Sequence, residues 1–446
     1  METDAVKPEA TAVPPDAGTA KPFGVYVHVP FCASRCGYCD FVTYTSPELR
    51  GFARSDFPRW TMSELTMARG AVEAMGLGER RVSTVFFGGG TPTLLAPGEL
   101  MAVLDAIEQT WGLAPGAEVT VEANPDSIDE AAVKQLAAGG VTRLSVGMQS
   151  AVPHVLATLG RTHRPAHVRR AVEAAADAGI AASVDLIYGT PGETLADWEA
   201  SLTEAVGYGI VHMSIYALTL EPHTPLARRI GRGEVGPVDA DEQAAKYELA
   251  DALLAGAGLT WYEISNFAAS PADRSRHNLG YWTGGDWWGL GPGAHSGFGG
   301  PAPVRWWNVA HPQEYAARLA RGETPEAGRE VLDAEAQAVE RVMLGIRVCD
   351  GLPLSDLPAP GRASQLTADG GTTRASTRSS PNDHQSDIPL ASARTHHGDP
   401  PGSGHPALPA LVADGLIHPD WRETGRVRLT LRGRLLADAV TRALIA

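Results

Sequence analysis

Three of the four cysteines lie on one short segment, at Cys32, Cys36 and Cys39. This clustering indicates a metal site in a reducing compartment rather than a disulfide framework. Three thiolates on a short loop can bind three corners of an iron–sulfur cube, and without a nearby fourth cysteine one iron stays open to another ligand. A structural zinc ion is the alternative, and it would need a fourth ligand such as His28. We favour the cluster with an open iron.

Glycines and polar residues follow the apolar segments further along the chain. Gly88, Gly89 and Gly90 precede Thr91, and consecutive glycines let a backbone approach a ligand closely. Carboxylate, amide and guanidinium groups occur at or just after later apolar segments, namely Glu122, Gln149, Arg161 and Asp185. The guanidinium of Arg161 could pair with a carboxylate through two parallel hydrogen bonds. Taken alone, each charged residue is better explained as a helix cap or a surface ion pair.

Six strand-like segments, each followed by a segment with helical spacing of apolar residues, position these groups. The strands are predicted over 24–29, 82–87, 119–122, 143–147, 182–188 and 212–217. Alternating strands and helices predict a parallel sheet. Because six units are too few for a closed eightfold barrel, we predict an α/β fold built on a partial (β/α)6 barrel. Polar residues at the carboxyl ends of barrel strands are where chemistry takes place in such folds.

Composition divides the chain further. Residues 1–22 predict a disordered tail, and residues 23–260 hold the partial barrel. Residues 261–358 form an α/β extension that is rich in Trp and Gly and includes a predicted helical pair over 311–321 and 332–347. Residues 359–406 contain few apolar side chains and predict a disordered insertion. Residues 407–446 predict a small winged-helix-like domain.

The net charge of -15 argues against nucleic acid as a partner, because phosphate binding needs a basic face. No apolar run reaches the roughly 18 residues that a membrane-spanning helix needs. The N-terminal segment lacks the apolar core of a signal peptide. These features predict a cytoplasmic protein.

The cysteine spacing resembles the signature of the radical S-adenosylmethionine (SAM) superfamily. The resemblance implies a [4Fe–4S] cluster whose open iron binds the amino and carboxylate groups of SAM, and reduction that cleaves SAM to a 5′-deoxyadenosyl radical. It also implies that Tyr38 packs on the adenine. Further SAM contacts implied by the resemblance are Tyr26, Gly89, Gly90, Thr91, Glu122, Gln149, Arg161 and Asp185.

Longer segments resemble the family of oxygen-independent coproporphyrinogen III oxidase and its relatives, among them residues 26–32, 88–93, 143–150, 185–192, 262–267 and 289–296. The oxidase branch carries another cysteine two positions after the third ligand, where this chain has Phe41. It also has a longer N-terminal region. The haem-chaperone branch carries a His-Asn-x-x-Tyr-Trp segment, which matches His277, Asn278, Tyr281 and Trp282.

Haem binding would suit this segment, because a neutral imidazole can ligate haem iron and aromatic rings can cover a porphyrin face. The simpler interpretation is a loop histidine with two core aromatics. With the resemblance, the leading hypothesis is a haem chaperone whose partners are haem, acceptor proteins such as membrane respiratory enzymes, and a small electron donor.

Two other hypotheses stay open. One is SAM-dependent oxidative decarboxylation of coproporphyrinogen III to protoporphyrinogen IX, and the other is radical chemistry on a different tetrapyrrole. The sequence assigns no catalytic residue.

Overall fold

The computed structural model describes residues 21–45, 49, 52–76, 78–300, 303–358, 402 and 404–446. Most of the predicted tail over 1–22 and of the predicted insertion over 359–406 lies outside these residues. Among the described helices, none is both long enough and apolar enough to cross a membrane.

The strands of the described chain are β1 (Phe23–Val29), β2 (Val82–Gly89), β3 (Leu113–Ala123), β4 (Arg143–Gln149), β5 (Ala181–Tyr188), β6 (His212–Ala217), β7 (Thr260–Glu263), β8 (Asn266–Ala268), β9 (Asp286–Leu290), β10 (His295–Phe298), β11 (Val304–Asn308), β12 (Glu326–Val331), β13 (Leu352–Pro353) and β14 (Arg426–Val427). Twelve of them form one sheet in the order β12-β11-β10-β9-β1-β2-β3-β4-β5-β6-β8-β7. The strands β1 to β6 are parallel neighbours in chain order. Because β9 and β8 flank them, these six strands do not close on themselves, which confirms the predicted partial barrel.

The helices are α1 (Phe57–Ala74), α2 (Pro97–Trp111), α3 (Glu130–Ala138), α4 (Pro153–Leu159), α5 (Pro165–Asp177), α6 (Leu195–Val206), α7 (Pro225–Gly231), α8 (Ala240–Gly256), α9 (Arg276–Trp282), α10 (Pro312–Ala320), α11 (Ala334–Gly345), α12 (Ala407–Ala413), α13 (Trp421–Thr424), α14 (Leu431–Leu435) and α15 (Ala437–Ile445). Short 3₁₀ turns lie at Arg54–Asp56, Pro92–Leu94, Pro271–Asp273 and Leu354–Asp356.

Successive side chains of β1 alternate between the two faces of the sheet. Val25, Val27 and Val29 are fully buried in the core between the sheet and the outer helices. The intervening residues, such as Tyr26 and His28, face the opposite side, because successive side chains of a strand alternate between its two faces. The helix-facing side of the strand is therefore apolar, and its polar side faces the interior of the barrel.

All six predicted strands are present, but one begins well before its predicted start, and the strands β7 to β14 were not predicted individually. The third strand was expected to begin at Val119, but β3 begins at Leu113, where it pairs with Val82 of β2. The sequence does not indicate a strand here, because Pro115 and Gly116 are residue types that are depleted in strands. The strand β12 was not predicted between the two helices of the extension, and its charged alternating sequence is stabilised by antiparallel pairing with β11.

The extension continues the barrel sheet beyond β1. Strand β9 runs parallel to β1, and β10, β11 and β12 follow as antiparallel strands. The loop after β9 approaches β1 so closely that a Cβ atom on Gly291 would lie 2.5 Å from the carbonyl oxygen of His28. Gly291 also has a φ of +101°, which favours glycine.

The C-terminal unit has its own apolar core. Val342 of α11 and Ile346, which directly follows this helix, pack there with Leu352, Trp421 and Leu444. Strand β13 pairs antiparallel with β14. Residues from both sides of the predicted 359–406 insertion therefore share one core, and the boundary placed after residue 358 divides it. The winged-helix-like character of this unit stays a prediction.

The buried carboxylate of Glu64 ties α1 to the extension. It accepts hydrogen bonds from the backbone N–H of Gly291 at 2.8 Å, from Asn308 Nδ2 at 2.7 Å and from the Tyr315 hydroxyl at 2.6 Å. Four separate parts of the chain are thus joined through one side chain.

We expect Glu64→Ala to lower the free energy of unfolding by about 3 kcal/mol or more, because each buried donor left without a partner costs about 1–3 kcal/mol. Urea unfolding of the apoprotein followed by circular dichroism measures this loss. Glu108→Ala, on the exposed face of α2, is the matched control and should change stability little. Equal effects of the two substitutions would contradict the proposed role of Glu64.

Candidate functional site

The cysteine loop is anchored at the carboxyl end of β1. The backbone N–H of Tyr44 donates to Pro30 O at 2.8 Å, and that of Cys32 donates to Tyr44 O at 3.1 Å. On the other side of the loop, Gly37 N–H donates to Leu159 O at 2.9 Å, beside the end of α4. The three cysteines Cys32, Cys36 and Cys39 are all partly buried free thiols. The loop is therefore held at both ends with its thiols facing a common cavity.

The arrangement fits an open iron–sulfur cluster better than zinc. Within the described ranges, no three His, Cys, Asp or Glu side chains are close enough together to hold a single metal ion. His28, the candidate fourth zinc ligand, uses both ring nitrogens elsewhere. Its Nε2 lies 2.8 Å from Val42 O and must donate to it, and its Nδ1 accepts from the Tyr26 hydroxyl at 3.0 Å.

The thiols need a positive charge to ionise. Burial raises the pKa of Cys39 to about 11, and burial also raises the pKa of Cys32. A bound cationic cluster reverses this tendency, because coordination deprotonates a thiol. Arg161 adds a second positive group, with Nη1 3.5 Å from Cys36 Sγ.

The glycine turn after β2 lies directly against the cysteine loop. Gly90 N–H donates to Val29 O at 2.8 Å, and Thr91 N–H donates to Phe31 O at 2.7 Å. A Cβ atom on Gly90 would lie 2.5 Å from Phe31 O. Gly89 has a φ of +105°. The close backbone contact and the left-handed dihedral both require glycine, as the sequence predicted from the run of three.

Two half-buried carboxyl groups line the same cavity as this turn. Glu122 Oε2 accepts from Gly89 N–H at 3.1 Å, and Asp185 Oδ2 accepts from the Ser145 hydroxyl at 2.8 Å. Burial, and then the charge of Asp185, raise the pKa of Glu122 to about 8. Such a pair is suited to a ligand that brings a positive charge or hydroxyl donors.

Arg161 and Gln149 complete the opposite side. Arg161 Nη2 donates to Gly147 O at 3.0 Å and also to Asn124. Gln149 has a φ of +61°, and the pairing of β4 with β5 shifts register between Gly147 and Gln149. Such a strained position in a non-glycine residue costs on the order of 1–3 kcal/mol and is typical of functional sites.

These groups surround one cavity of about 730 Å³ at the carboxyl ends of the barrel strands. Its volume lies within the range of about 300–1,000 Å³ that is usual for small-molecule sites. The predicted residues on its wall are Cys32, Cys36, Tyr38, Cys39, Gly89, Gly90, Thr91, Glu122, Gln149, Arg161 and Asp185. Tyr26 instead lines a smaller cavity of about 210 Å³, which shares Glu122 and Asp185 with the larger one.

Sequence reasoning missed several residues of the cavity wall. Asn124 and Asp126 follow Glu122 at the end of β3, and Ser145 and Tyr216 lie on β4 and β6. Asn124 and Asp126 directly follow the predicted strand that ends at Glu122. The rule that selects polar residues at the carboxyl ends of strands could therefore have found them. Ser145 lies mid-strand with nothing local to distinguish it, and only the strand pairing with β5 brings it to Asp185.

The three residues predicted for haem lie away from the larger cavity. His277 on α9 is 4% exposed, and its Nδ1 and Nε2 lie 2.9 Å from Thr84 Oγ1 and from the Tyr281 hydroxyl. Burial lowers the pKa of His277 to about 3, so its imidazole is neutral. The indole of Trp282 hydrogen-bonds the buried Glu263. Iron ligation by His277 would therefore require the loss of one of its two hydrogen bonds.

We expect the anaerobically reconstituted protein to hold about four irons and four sulfides per chain. Alanine substitution of Cys32, Cys36 or Cys39 should abolish the visible absorbance of the cluster, because each thiolate is predicted to bind one corner. Cys349→Ala is the control and should leave the absorbance unchanged. A Cys36→Ala protein that keeps its cluster would show that the assignment is wrong.

Addition of SAM should change the EPR spectrum of the reduced cluster, because the amino and carboxylate groups of SAM occupy its open iron. Glu122→Ala and Arg161→Ala should weaken this response without loss of iron. The matched controls are Glu204→Ala and Arg169→Ala, which break a surface ion pair with N–O distance 3.1 Å. An unchanged spectrum at saturating SAM would contradict the assignment of the cavity.

Comparison with known proteins shows the family to which this chain belongs. Residues 26–205 match the model of the Radical SAM superfamily. The protein named heme chaperone HemW from Mycobacterium tuberculosis is 44% identical over 431 residues, which span 95% of this chain and 95% of that relative. Its namesake from Synechocystis is 34% identical over 344 residues, 76% of this chain and 81% of the relative.

The solved structure of coproporphyrinogen III oxidase (HemN) from Escherichia coli superposes with a TM-score of 0.72, covering 96% of this chain and 90% of that one. At 19% sequence identity this likeness shows the fold alone. The relatives named HemW match nearly full-length at much higher identity. This chain therefore belongs to the HemW family of radical SAM proteins.

Proposed function

We propose that this protein is a haem chaperone, which binds haem and transfers it to an acceptor protein while carrying a SAM-liganded [4Fe–4S] cluster. The observation that carries the proposal is the 44% identity to a protein named heme chaperone over 95% of both chains. The cluster loop and the SAM cavity are compatible with it.

The residue at position 41 favours the chaperone over the oxidase. Phe41 stands where the resemblance places a cysteine in the oxidase branch. It is 61% exposed and lines both cavities.

The chain's own residues have clear tasks when the cofactors are bound. A SAM-bound cluster supplies one-electron chemistry. Cys32, Cys36 and Cys39 hold it, and Arg161 places a positive charge beside Cys36. Glu122 is held by Gly89 N–H and can receive a donor group of the ligand. Tyr38 forms part of the cavity wall and packs against the apolar cluster around α4 and α7.

The partners extend the same proposal. Acceptor proteins, with membrane respiratory enzymes among them, would receive haem from a cytoplasmic donor, and a small electron donor would reduce the cluster. The proposed haem-binding segment includes His277, Tyr281 and Trp282, and its contribution is open to direct test.

We expect haem to bind with one-to-one stoichiometry and to give a Soret band shifted from that of free haem, because protein groups replace water at the iron and the porphyrin faces. Under anaerobic reducing conditions with SAM, coproporphyrinogen III should not be converted. Absorbance titration and product analysis measure the two outcomes on the same reconstituted protein. Formation of protoporphyrinogen IX would favour the oxidase instead.

A further inference from the structure

His28 lies on β1, shortly before the cysteine loop, and it lines neither of the two cavities. The residue is buried, with 6% of its surface exposed. Its imidazole contacts two groups that do belong to the site: the backbone of Val42, which follows the cysteine loop, and the hydroxyl of Tyr26, which lines the smaller cavity. A buried side chain that joins a loop to a cavity wall can position both.

The direction of each of these hydrogen bonds follows from the chemistry of the partners. A backbone carbonyl only accepts, so the Nε2 atom of His28, 2.8 Å from Val42 O, carries a proton. Burial lowers the pKa of His28, so the ring is neutral and its Nδ1 atom has a free lone pair. Nδ1 lies 3.0 Å from the Tyr26 hydroxyl, which therefore donates. Burial also raises the pKa of Tyr26, so the hydroxyl keeps the proton that it donates.

The donated proton leaves the Tyr26 oxygen as an acceptor. A phenol has a single proton, so when this proton points at Nδ1 of His28 the oxygen can only accept from a further partner. Glu122 is close by, because a Cβ atom on Gly88 would lie 3.1 Å from Tyr26 Cε2 and 3.2 Å from Glu122 Cδ. Both residues line the smaller cavity. Two acceptors close together favour a ligand that supplies N–H or O–H donors.

The surrounding backbone restricts the His28 ring. A Cβ atom on Gly89 would lie 2.6 Å from His28 Nδ1 and Cε1, so only glycine leaves room for the imidazole at this place. The chain that carries the accepting carbonyl is packed closely as well, since a Cβ atom on Gly293 would lie 2.9 Å from Val42 Cγ1. This packing resists rotation of the ring and keeps Nδ1 directed at Tyr26.

We propose that His28 is a positioning residue for SAM, which orients the Tyr26 hydroxyl so that the phenolic oxygen accepts a hydrogen bond from an N–H or O–H donor of SAM. The same imidazole ties this acceptor to Val42, three residues after Cys39, so the acceptor and the cysteine loop keep a fixed spacing. The inference rests on the SAM-liganded cluster of the proposed function and gives a task to a residue outside the cavity wall.

Two amide substitutions separate the two hydrogen bonds of His28. In His28→Asn the amide oxygen can replace Nδ1 and accept from Tyr26, whereas the bond to Val42 is lost. In His28→Gln the longer amide can replace Nε2 and donate to Val42 O, whereas Tyr26 loses its acceptor. We expect His28→Gln to weaken SAM binding and His28→Asn to bind SAM more tightly than His28→Gln. SAM titration of the reduced cluster, followed by EPR, measures the affinity, and iron and sulfide analysis verifies the cluster content of each variant.

Tyr26→Phe tests whether His28 acts through Tyr26. It removes the accepting oxygen and should weaken SAM binding about tenfold, the effect of one lost hydrogen bond. His28→Gln should then cause no further loss, because two substitutions that remove the same interaction are not additive. The controls are His223→Gln at an exposed histidine and Tyr208→Phe, whose hydroxyl donates to Pro165 O at 3.2 Å away from both cavities. Both should leave SAM binding unchanged.

The outcomes separate this inference from the proposed function. A parent whose EPR spectrum does not respond to SAM overturns the SAM-liganded cluster and this inference with it. A responsive parent overturns the inference alone if Tyr26→Phe binds SAM equally well, or if the losses in His28→Gln and Tyr26→Phe are fully additive. If His28→Gln does not assemble a cluster, His28→Asn decides, because a loss as large as that in Tyr26→Phe would contradict the role of Nδ1. Absence of haem binding overturns the chaperone function and leaves the role of His28 intact.

Discussion

The contact between the ends of β1 and β2 is the constraint on which the rest of the site depends. Gly90 and Thr91 donate to carbonyls of the chain that leaves β1, so the parallel ladder continues into two loops. One loop carries the cysteines and the other forms the wall of the cofactor cavity. Because the backbone of Gly90 has no room for a Cβ atom beside Phe31 O, the two loops are fixed relative to each other.

Strand β1 also determines where the extension lies. Its other edge pairs in parallel with β9, and Gly291 at the end of β9 nearly touches His28 O. The cofactor cavity and the sheet extension therefore lie on opposite edges of one strand. The buried carboxylate of Glu64 fixes this arrangement from outside, because its donors come from the loop after β9, from β11 and from α10.

Electrostatics determines which kind of ligand suits the larger cavity. This cavity contains Glu122 and Asp185, and burial raises the pKa of both carboxyl groups, so a ligand that brings positive charge relieves the cost of their burial. A charged, hydroxyl-rich cofactor therefore suits the cavity.

The sequence by itself determined the βα order, the cysteine loop and the polar residues at the strand ends, because periodicity, cysteine spacing and glycine runs are local signals. Tertiary structure alone decided the rest. Ser145 reaches Asp185 through strand pairing, and β12 exists because β11 offers it an edge. The sequence identified His277 by its motif, but burial against Thr84 and Tyr281 decides that its nitrogens are occupied.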